Sequence, residues 1–198
     1  MRGILFVLSG PSGTGKGTVC KELLEREDAL TISISATTRE KRLGETEGET
    51  YHYVTKDDFE SMIDRGEMLE YAMYNGNYYG TPKAAVEELL NVGRDVLLEI
   101  EPQGALQVKK LFPEAVLVFL VPPSMSELKN RLITRGRESE QEIEERISAA
   151  KWELEQADKY TTIIENDSLD ECVAHVMDYI DVKRKEKQKI DSLINERV

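Results

Sequence analysis

The chain contains 198 residues, enough for one domain with a sizeable hydrophobic core and small inserted lobes. Its formal net charge of −12 disfavours nucleic acid and anionic membrane surfaces as partners, because both would repel such a protein. The first apolar run, residues 4–8, is too short for a membrane span or a signal peptide, and no sequence feature indicates an obligate protein partner. We therefore expect a cytoplasmic globular protein. Its two cysteines, Cys20 and Cys172, lack disulfide or metal spacing and are predicted to be small buried residues.

A glycine-rich loop follows the first apolar run, which itself predicts a strand over residues 4–9. Gly10 and the pair Gly15-Lys16 have the spacing of a P-loop, and a helical pattern follows to about residue 25. Such a loop turns backbone N–H groups and the positive end of a helix dipole toward a phosphate, and the lysine adds a full charge. The sequence therefore predicts a phosphate cradle formed by Gly10, Pro11, Ser12, Gly13, Thr14, Gly15, Lys16, Gly17 and Thr18.

The residue after the P-loop lysine departs from the usual pattern. Gly17 stands where a hydroxyl residue is expected, and Thr18 follows one position later. We therefore expect a phosphate-bound Mg²⁺ ion to keep more of its water ligands instead of taking a protein hydroxyl directly. The Gly-Lys-Gly-Thr ending resembles nucleoside monophosphate kinases more than GTPases or motor proteins, but it does not identify the substrate.

Short apolar runs alternate with helical patterns along the rest of the chain. Further strands of the core are predicted over residues 30–35, 96–100, 115–121 and 161–165. A repeated strand-then-helix order places the strands parallel to one another. The sequence therefore predicts an α/β fold in which a five-stranded parallel sheet is flanked by helices.

Several helix boundaries are marked in the sequence. Serines followed three residues later by glutamate predict helix starts at Ser124, Ser139 and Ser168, and Thr81-Pro82 predicts an N-cap with proline at the first helical position.

Residues 36–80 interrupt the strand–helix order and predict a small mixed lobe inserted into the core. The segment offers a strand over 51–54, a helix over 56–65 and a hairpin around Asn75-Gly76. A two-residue turn there would pair Tyr74 with Asn77, Ala72 with Tyr79, and Glu70 with Thr81. Glu70, Tyr79 and Thr81 would then share one face of the hairpin.

The whole chain resembles the guanylate kinase family. The resemblance is carried by the P-loop and by Ser35-Ala-Thr-Thr-Arg39, Arg42-Leu-Gly-Glu45, Gly48, Tyr51-His-Tyr-Val54, Leu69-Glu-Tyr71, Gly76-Asn-Tyr-Tyr-Gly80, Leu98-Glu-Ile-Glu-Pro-Gln-Gly104, residues 131–137 and Arg146. It implies transfer of the γ-phosphoryl group of ATP to GMP with Mg²⁺. It also implies a P-loop nucleoside monophosphate kinase fold with a core (1–34, 83–134 and 147–198), a GMP-binding lobe (35–82) and a lid (135–146).

The resemblance assigns a role to each residue of the GMP side. Two arginines and two tyrosines would hold the GMP phosphate, because guanidinium forks match a phosphate and phenols add donors without charge. Glu70 would accept from the N1–H and amino group of guanine, which adenine cannot offer, and Thr81 would donate on the carbonyl side of the base. The implied GMP site comprises Ser35, Arg39, Arg42, Tyr51, Glu70, Tyr79, Gly80, Thr81 and Glu101.

The same resemblance implies the ATP side and the catalytic groups. ATP would lie on the P-loop with Asn166 at the adenine, and Glu99 would hold the Mg²⁺ ion through water. Lys16, Arg131, Arg135 and Arg146 would neutralise the transferring phosphoryl group, whereas Arg137 in the same lid is assigned to surface ion pairing. No general base is expected, because the acceptor oxygen of GMP is already anionic near neutral pH.

Two alternative functions remain open on the residues alone. The P-loop ending also allows a kinase for another nucleoside monophosphate, although Arg39, Arg42, Tyr51 and Glu70 disfavour it. A guanylate-kinase-like interaction module would keep the fold without catalysis. The retained P-loop lysine and lid arginines disfavour that alternative.

Overall fold

A computed structural model of the chain describes residues 2–74, 76–136 and 139–195, with the backbone alone for Arg135 and Asn195. The strands in this part of the chain are β1 Leu5–Ser9, β2 Leu30–Ile32, β3 Ala36–Thr37, β4 His52–Tyr53, β5 Met68–Tyr74, β6 Asn77–Pro82, β7 Asp95–Glu99, β8 Val116–Val121 and β9 Thr162–Glu165. The helices are α1 Lys16–Arg26, α2 Lys56–Asp64, α3 Lys83–Asn91, α4 Pro102–Leu111, α5 Met125–Arg135, α6 Glu140–Leu154 and α7 Leu169–Asn195, and a 3-10 helix covers Ala157–Lys159.

Five strands form the central sheet in the order β2-β7-β1-β8-β9, and each neighbouring pair is parallel. The predicted α/β fold with a five-stranded parallel sheet is therefore confirmed. Strand β1 occupies the middle, and its neighbours β7 and β8 follow it much later in the chain. The chain leaves β1 through α1 on one face of the sheet and leaves the neighbouring β7 through α4 on the other face, which opens a crevice at the carboxyl ends of these two strands. The P-loop begins in this crevice.

Strand β2 ends earlier than the sequence predicts. Alternation over residues 30–35 predicts six residues, but β2 covers Leu30–Ile32, and the N–H of Ser33 makes a last bond to the carbonyl of Leu97. The next residues, Ala36–Thr37, form β3 of a second sheet. Period-two alternation continues through both strands, so the pattern alone does not show where the chain leaves one sheet for the other.

The central sheet is buried on both faces. Phe6 and Leu8 of β1 pack with residues of α1 and α7, whereas Leu5 and Val7 pack with residues of α3 and α4. Successive side chains of a strand point to opposite faces, so a strand covered on both sides has to be continuously apolar. This double burial fixes the sheet, and thereby the loops at its carboxyl edge.

The second sheet has the strand order β4-β3-β6-β5, and it carries the hairpin between residues 68 and 82. The pairings Tyr74–Asn77, Ala72–Tyr79 and Glu70–Thr81 are all present, which confirms the predicted register. Asn75, on which the predicted turn type depends, lies outside the described residues. Phe59 of α2 stacks on Tyr78 with ring centroids 5.1 Å apart and fills the small core of this sheet.

Of the four predicted helix starts, those at Ser124 and Ser139 are confirmed with their caps, α7 begins directly after Ser168 as predicted, and the one at Thr81-Pro82 is wrong. Ser124 and Ser139 accept hydrogen bonds from the N–H groups of Glu127 and Glu142, and Ser139 forms a complete capping box. Helix α3 begins at Lys83 with Pro82 as its N-cap, because strand pairing extends through Pro82. The Thr81 hydroxyl donates to Glu70 instead of capping α3.

Both cysteines are buried and unbonded to each other, as predicted. Burial raises the pKa of the Cys20 thiol to about 12 and that of Cys172 to about 11. Over the described ranges, no helix has both the length and the apolar character that crossing a membrane requires.

An ion-pair cluster fastens α7 to the central sheet. One carboxylate oxygen of buried Asp95 accepts a hydrogen bond from the N–H of Ile4 at 2.7 Å. The other accepts a hydrogen bond from Nε of Arg184, also at 2.7 Å. Nη1 of Arg184 also donates to Glu27 at 3.0 Å and lies 3.4 Å from Asp181. Asp95 therefore links the N-terminal strand, β7 and the last helix.

We expect Asp95→Ala to lower the free energy of unfolding by about 2–4 kcal/mol, because it leaves a largely buried guanidinium and the Ile4 N–H without this acceptor. Asp181→Ala is the matched control: it removes an exposed carboxylate from the same arginine and should cost less than about 1 kcal/mol. Urea unfolding of both variants measures the difference. Equal losses would show that burial of Asp95 does not matter.

Candidate active site

Two clefts open beside the P-loop. The first, of about 640 Å³, lies between the P-loop, the second sheet, the end of β7 and helix α6. The second, of about 630 Å³, lies between the P-loop, α5 and the end of β9. Predicted site residues in the first cleft are Ser12, Lys16, Ser35, Tyr51, Glu70, Tyr79, Gly80, Glu99, Glu101 and Arg146, and those in the second are Gly13, Gly15, Thr18, Arg131 and Asn166.

Glycine is required in the P-loop for space as well as for conformation. Gly10 has φ of 146°, and a Cβ there would stand 2.2 Å from the carbonyl oxygen of Leu120. Gly15 has φ of 90° and leads directly into α1, which begins at Lys16. The Asn166 amide donates to the carbonyl of Thr14 at 2.7 Å and so ties the loop to the end of β9. The loop is thereby held open with the N-terminus of α1 facing the clefts.

Lys16 is buried and lies where the P-loop meets the end of β7. Its ammonium group donates to the carbonyl of Gly10 at 2.7 Å and lies 3.2 Å from a carboxylate oxygen of Glu101. A buried ammonium has to be satisfied by such acceptors. The positive charge of Lys16 is therefore held at the wall of the first cleft.

Three glutamates surround this lysine. Burial raises the pKa of Glu99 above its usual range, and the charge of Lys16 partly opposes the effect. Burial also raises the pKa of Glu153 on α6 to about 7, with a smaller contribution from repulsion by Glu101. Glu153 lines the first cleft together with Ser12 of the P-loop. Helix α6 thus brings a carboxylate to the phosphate loop, a residue that the sequence analysis missed.

Glu70 lies buried on the hairpin face that the register predicts. Thr81 donates to one of its oxygens at 2.7 Å, and burial raises the pKa of the carboxyl above its usual range. Its other oxygen lies against Gly104 in the first turn of α4, where a Cβ would stand only 2.6 Å away. Gly104 was missed as a site residue, although a glycine inside a helical pattern signals close approach by another group.

Arg39 lies beside the first cleft in a bidentate ion pair. Its two terminal nitrogens donate to Glu45 at 2.7 and 3.0 Å, and its guanidinium lies 5.6 Å from the centre of the Tyr51 ring. This hydrogen bonding is the main reason that the pKa of Glu45 falls to about 2. Glu45 also accepts the N–H of Arg42 and the hydroxyl of Tyr53. Glu45, which the sequence analysis did not select, is therefore the centre of this loop.

The predicted arginines occupy different positions. The side chain of Arg42 is exposed, and only its backbone is joined to Glu45 in the bonds described above. Arg131 on α5 donates to Glu127 at 2.9 Å and faces the second cleft. Arg146 on α6 donates to the hydroxyls of Ser12 at 2.7 Å and Tyr74 at 3.1 Å. The side chain of Arg135, and all of Arg137, lie outside the described residues.

Glu99 supplies the carboxylate to which the sequence assigns the metal. The Glu99 carboxylate lies beside the start of α1, since a Cβ on Gly17 would stand 3.4 Å from one of its oxygens. Carboxylate oxygens are donors that Mg²⁺ accepts, often through water. The residues therefore fit an ion held largely by phosphates and water.

The site combines a P-loop at the central strand of a parallel sheet, two clefts beside that loop, and the carboxylate of Glu70 in one of them. These features together define a P-loop phosphotransferase. The family model "Guanylate kinase" matches residues 2–183. A guanylate kinase of Oceanobacillus iheyensis is 51% identical over 189 residues, covering 96% of this chain and 92% of that protein. One of Bacillus subtilis is 54% identical over 170 residues, covering 85% and 83%.

A solved structure agrees with these relatives. The crystal structure of guanylate kinase from Anaplasma phagocytophilum has a TM-score of 0.73 and 31% identity, covering 92% of this chain and 86% of that chain. The chain belongs to the guanylate kinase family.

The raised pKa of Glu153 predicts a pH-dependent cost in stability. The carboxyl has a pKa of about 7 in the folded protein and 4.5 ordinarily, so the folded state binds more protons between these values. Its contribution to stability therefore falls as the pH rises through this window. We expect Glu153→Gln to be more stable than the parent at pH 8 by about 1–2 kcal/mol, after allowance for partial exposure, with no gain below pH 4.5.

The control for this experiment is Glu142→Gln on the same helix. Hydrogen bonds from Ser139 lower the pKa of Glu142, so this carboxyl is ionised in both the folded and unfolded states over most of the range from pH 4.5 to 8, and the effect of its loss should stay nearly constant there. Urea unfolding between pH 4.5 and 8 measures both variants. A Glu153→Gln effect that is constant across this range would contradict the assignment.

Proposed function

We propose that the first cleft holds GMP, that the second holds ATP, and that the P-loop between them carries the phosphoryl transfer. As a member of the guanylate kinase family, the chain transfers the γ-phosphoryl group of ATP to GMP and forms ADP and GDP. The observation that carries the assignment of the clefts is buried Glu70, which shares the first cleft with Lys16.

Glu70 reads the guanine base in this proposal. Its carboxylate offers acceptors to the N1–H and exocyclic amino group of guanine, whereas adenine would present a lone pair at N1 and no amino group at C2. The Thr81 hydroxyl donates to Glu70 and so orients the carboxylate. To donate to the carbonyl side of guanine, the Thr81 hydroxyl has to give up its hydrogen bond to Glu70. Gly80 and Glu101 complete the walls near the base and sugar.

The GMP phosphate is assigned to the cations and phenols at the other end of the cleft. Arg39 uses one edge of its guanidinium for Glu45, and Nη1 also donates to the carbonyl of Glu40 at 2.7 Å, so we assign the Nε–H and the second N–H of Nη2 to the phosphate. Tyr51 and Tyr79 stand with ring centroids 6.0 Å apart, and both line the cleft. Ser35 and the exposed Arg42 supply further donors. Fork-shaped arginines suit this task because phosphate oxygens accept paired hydrogen bonds.

Phosphoryl transfer itself is assigned to Lys16, Arg131, Arg135 and Arg146. These cations offset the repulsion between two anionic groups, and no proton has to be removed from the acceptor oxygen. Glu99 would hold Mg²⁺ through water. When bound, the metal would neutralise charge on the ATP phosphates. Asn166 orders the P-loop through Thr14 and lines the second cleft, where we place adenine.

The parts of the proposed enzyme follow the chain. The core comprises residues 1–34, 83–134 and 147–198, the GMP-binding lobe residues 35–82, and the lid residues 135–146. The second sheet, with strands between Ala36 and Pro82, supports the lobe assignment. We place the enzyme in the cytoplasm, in purine nucleotide metabolism.

An ADP-release assay with GMP, AMP, UMP and dTMP tests the activity. GMP should be used at least about 10³-fold more efficiently than the others, because the buried carboxylate would be left unpaired by a wrong base. Lys16→Ala should lower kcat by about 10²- to 10³-fold or more. Lys21→Ala, on the exposed side of the same helix, should stay within about twofold. A comparable rate with any other monophosphate would overturn the assignment.

The contact between Gly104 and Glu70 gives a second test. In Gly104→Ala the new Cβ would meet a carboxylate oxygen at the end of a flexible side chain, so Glu70 has to turn away while the helix gains about 1 kcal/mol of propensity. We expect the KM for GMP to rise at least about tenfold with little change in the KM for ATP.

Gln107→Ala is the control, because Gln107 bonds the backbone of Tyr71 and joins α4 to β5 without contact to the carboxylate in the bonds described. It should leave the KM for GMP nearly unchanged. A similar rise in both variants would place the effect in helix docking instead of base recognition.

A further inference from the structure

One guanidinium joins three parts of the molecule that are distant in sequence. Nη1 of Arg146 on α6 donates to the Ser12 hydroxyl of the P-loop at 2.7 Å. Nη2 donates to the hydroxyl of Tyr74 at 3.1 Å. Tyr74 is the last residue of β5, at the tip of the hairpin in the second sheet. A single side chain therefore connects the phosphate loop, helix α6 and the hairpin that carries Glu70.

Helix α6 meets the P-loop through Arg146. Its guanidinium binds the side chain of Ser12, and Glu153, two helical turns later, lines the same cleft as Ser12. Tyr74 adds a second contact to the guanidinium, which comes from the second sheet and not from the core. The position of the guanidinium thus depends on the core through Ser12 and on the hairpin through Tyr74.

The chemistry of the phenol suits this position. A phenol at this place accepts a hydrogen bond from the guanidinium and, unlike a carboxylate, adds no negative charge beside it. Arginine also presents its donors in a rigid plane, so contacts at two of its nitrogens restrict the orientation of the whole group. Fixed orientation of charge contributes directly to the rate of a phosphoryl transfer.

The side chain of Tyr74 contributes little to the stability of the fold. It is 55% exposed, and it lines the first cleft together with Trp152 of α6. Loss of a single hydroxyl from such a residue removes little buried surface and leaves no buried group unpaired. An effect of that loss on turnover would therefore reflect the contact with Arg146 and not the stability of the fold.

We propose that Tyr74 is a positioning residue for phosphoryl transfer, which orients Arg146 from the acceptor side of the cleft. The inference rests on the proposed function, in which Arg146 neutralises the transferring group. It makes the placement of a catalytic cation depend on the hairpin that binds the acceptor base. The hairpin then contributes to kcat as well as to recognition of GMP.

The test is Tyr74→Phe, which removes the hydroxyl and keeps the ring. We expect kcat to fall about fivefold to tenfold, with the KM values for GMP and ATP within about twofold of the parent and an unchanged melting temperature. Tyr71→Phe is the matched control, because Tyr71 lies on the same strand and is also partly exposed. It should leave kcat unchanged. Binding of GMP is measured independently through fluorescence of Trp152, the one tryptophan of the chain.

A double-mutant cycle assigns the effect to Arg146. In an Arg146→Lys background, which keeps the charge but loses the planar fork, Tyr74→Phe should have no further effect on kcat. The inference is overturned if Tyr74→Phe keeps the parent kcat, if it raises the KM or Kd for GMP instead, or if it lowers kcat equally in both backgrounds. Each of these three results would leave the proposed function intact. The proposed function itself would be overturned if the parent protein did not transfer phosphoryl groups to GMP.

Discussion

Two phosphate groups that repel each other have to meet inside a chain whose own net charge is −12. The structure meets this constraint by placing cations from separate stretches of sequence around one loop: Lys16 from the start of α1, Arg131 from α5 and Arg146 from α6. The parallel sheet makes this possible, since the carboxyl ends of its strands meet at one edge. Burial of the sheet on both faces holds that edge rigid. The local positive field therefore depends on the core beneath it, and not on the overall composition of the protein.

The sequence predicts those parts of the fold that local chemistry determines. The P-loop follows from glycine spacing and its flanking patterns, and the hairpin register follows from Asn-Gly between alternating runs. That register placed Glu70 opposite Thr81, and the structure shows the same pairing. The serine caps at Ser124 and Ser139 could also be predicted, because each capping hydrogen bond joins residues only three positions apart.

Other features could not be predicted, because they arise from contacts between distant segments. Gly104 is required by the approach of Glu70 from another element, and Tyr74 reaches Arg146 across 72 positions of sequence. Thr81 has the local pattern of an N-cap, yet strand pairing and a buried carboxylate take its hydroxyl. Glu45 lies within a stretch that carries the resemblance, but nothing local distinguishes it from the many other acidic residues of the chain. Tertiary structure overrides local preference most strongly around the clefts.

The cations around the clefts carry counter-ions that belong to the protein. Lys16 faces Glu101, Arg39 is held by Glu45, and Arg131 is held by Glu127. An oxyanion that binds here shares each cation with a carboxylate. Its electrostatic attraction to these cations therefore offsets little of the free energy needed to remove its water. A nucleotide adds the hydrogen bonds of its base, which sulfate and inorganic phosphate lack. Built-in acidic partners thus lower the net charge that an oxyanion meets at these side chains, so the hydrogen bonds of the base give a nucleotide an advantage over a simple inorganic anion.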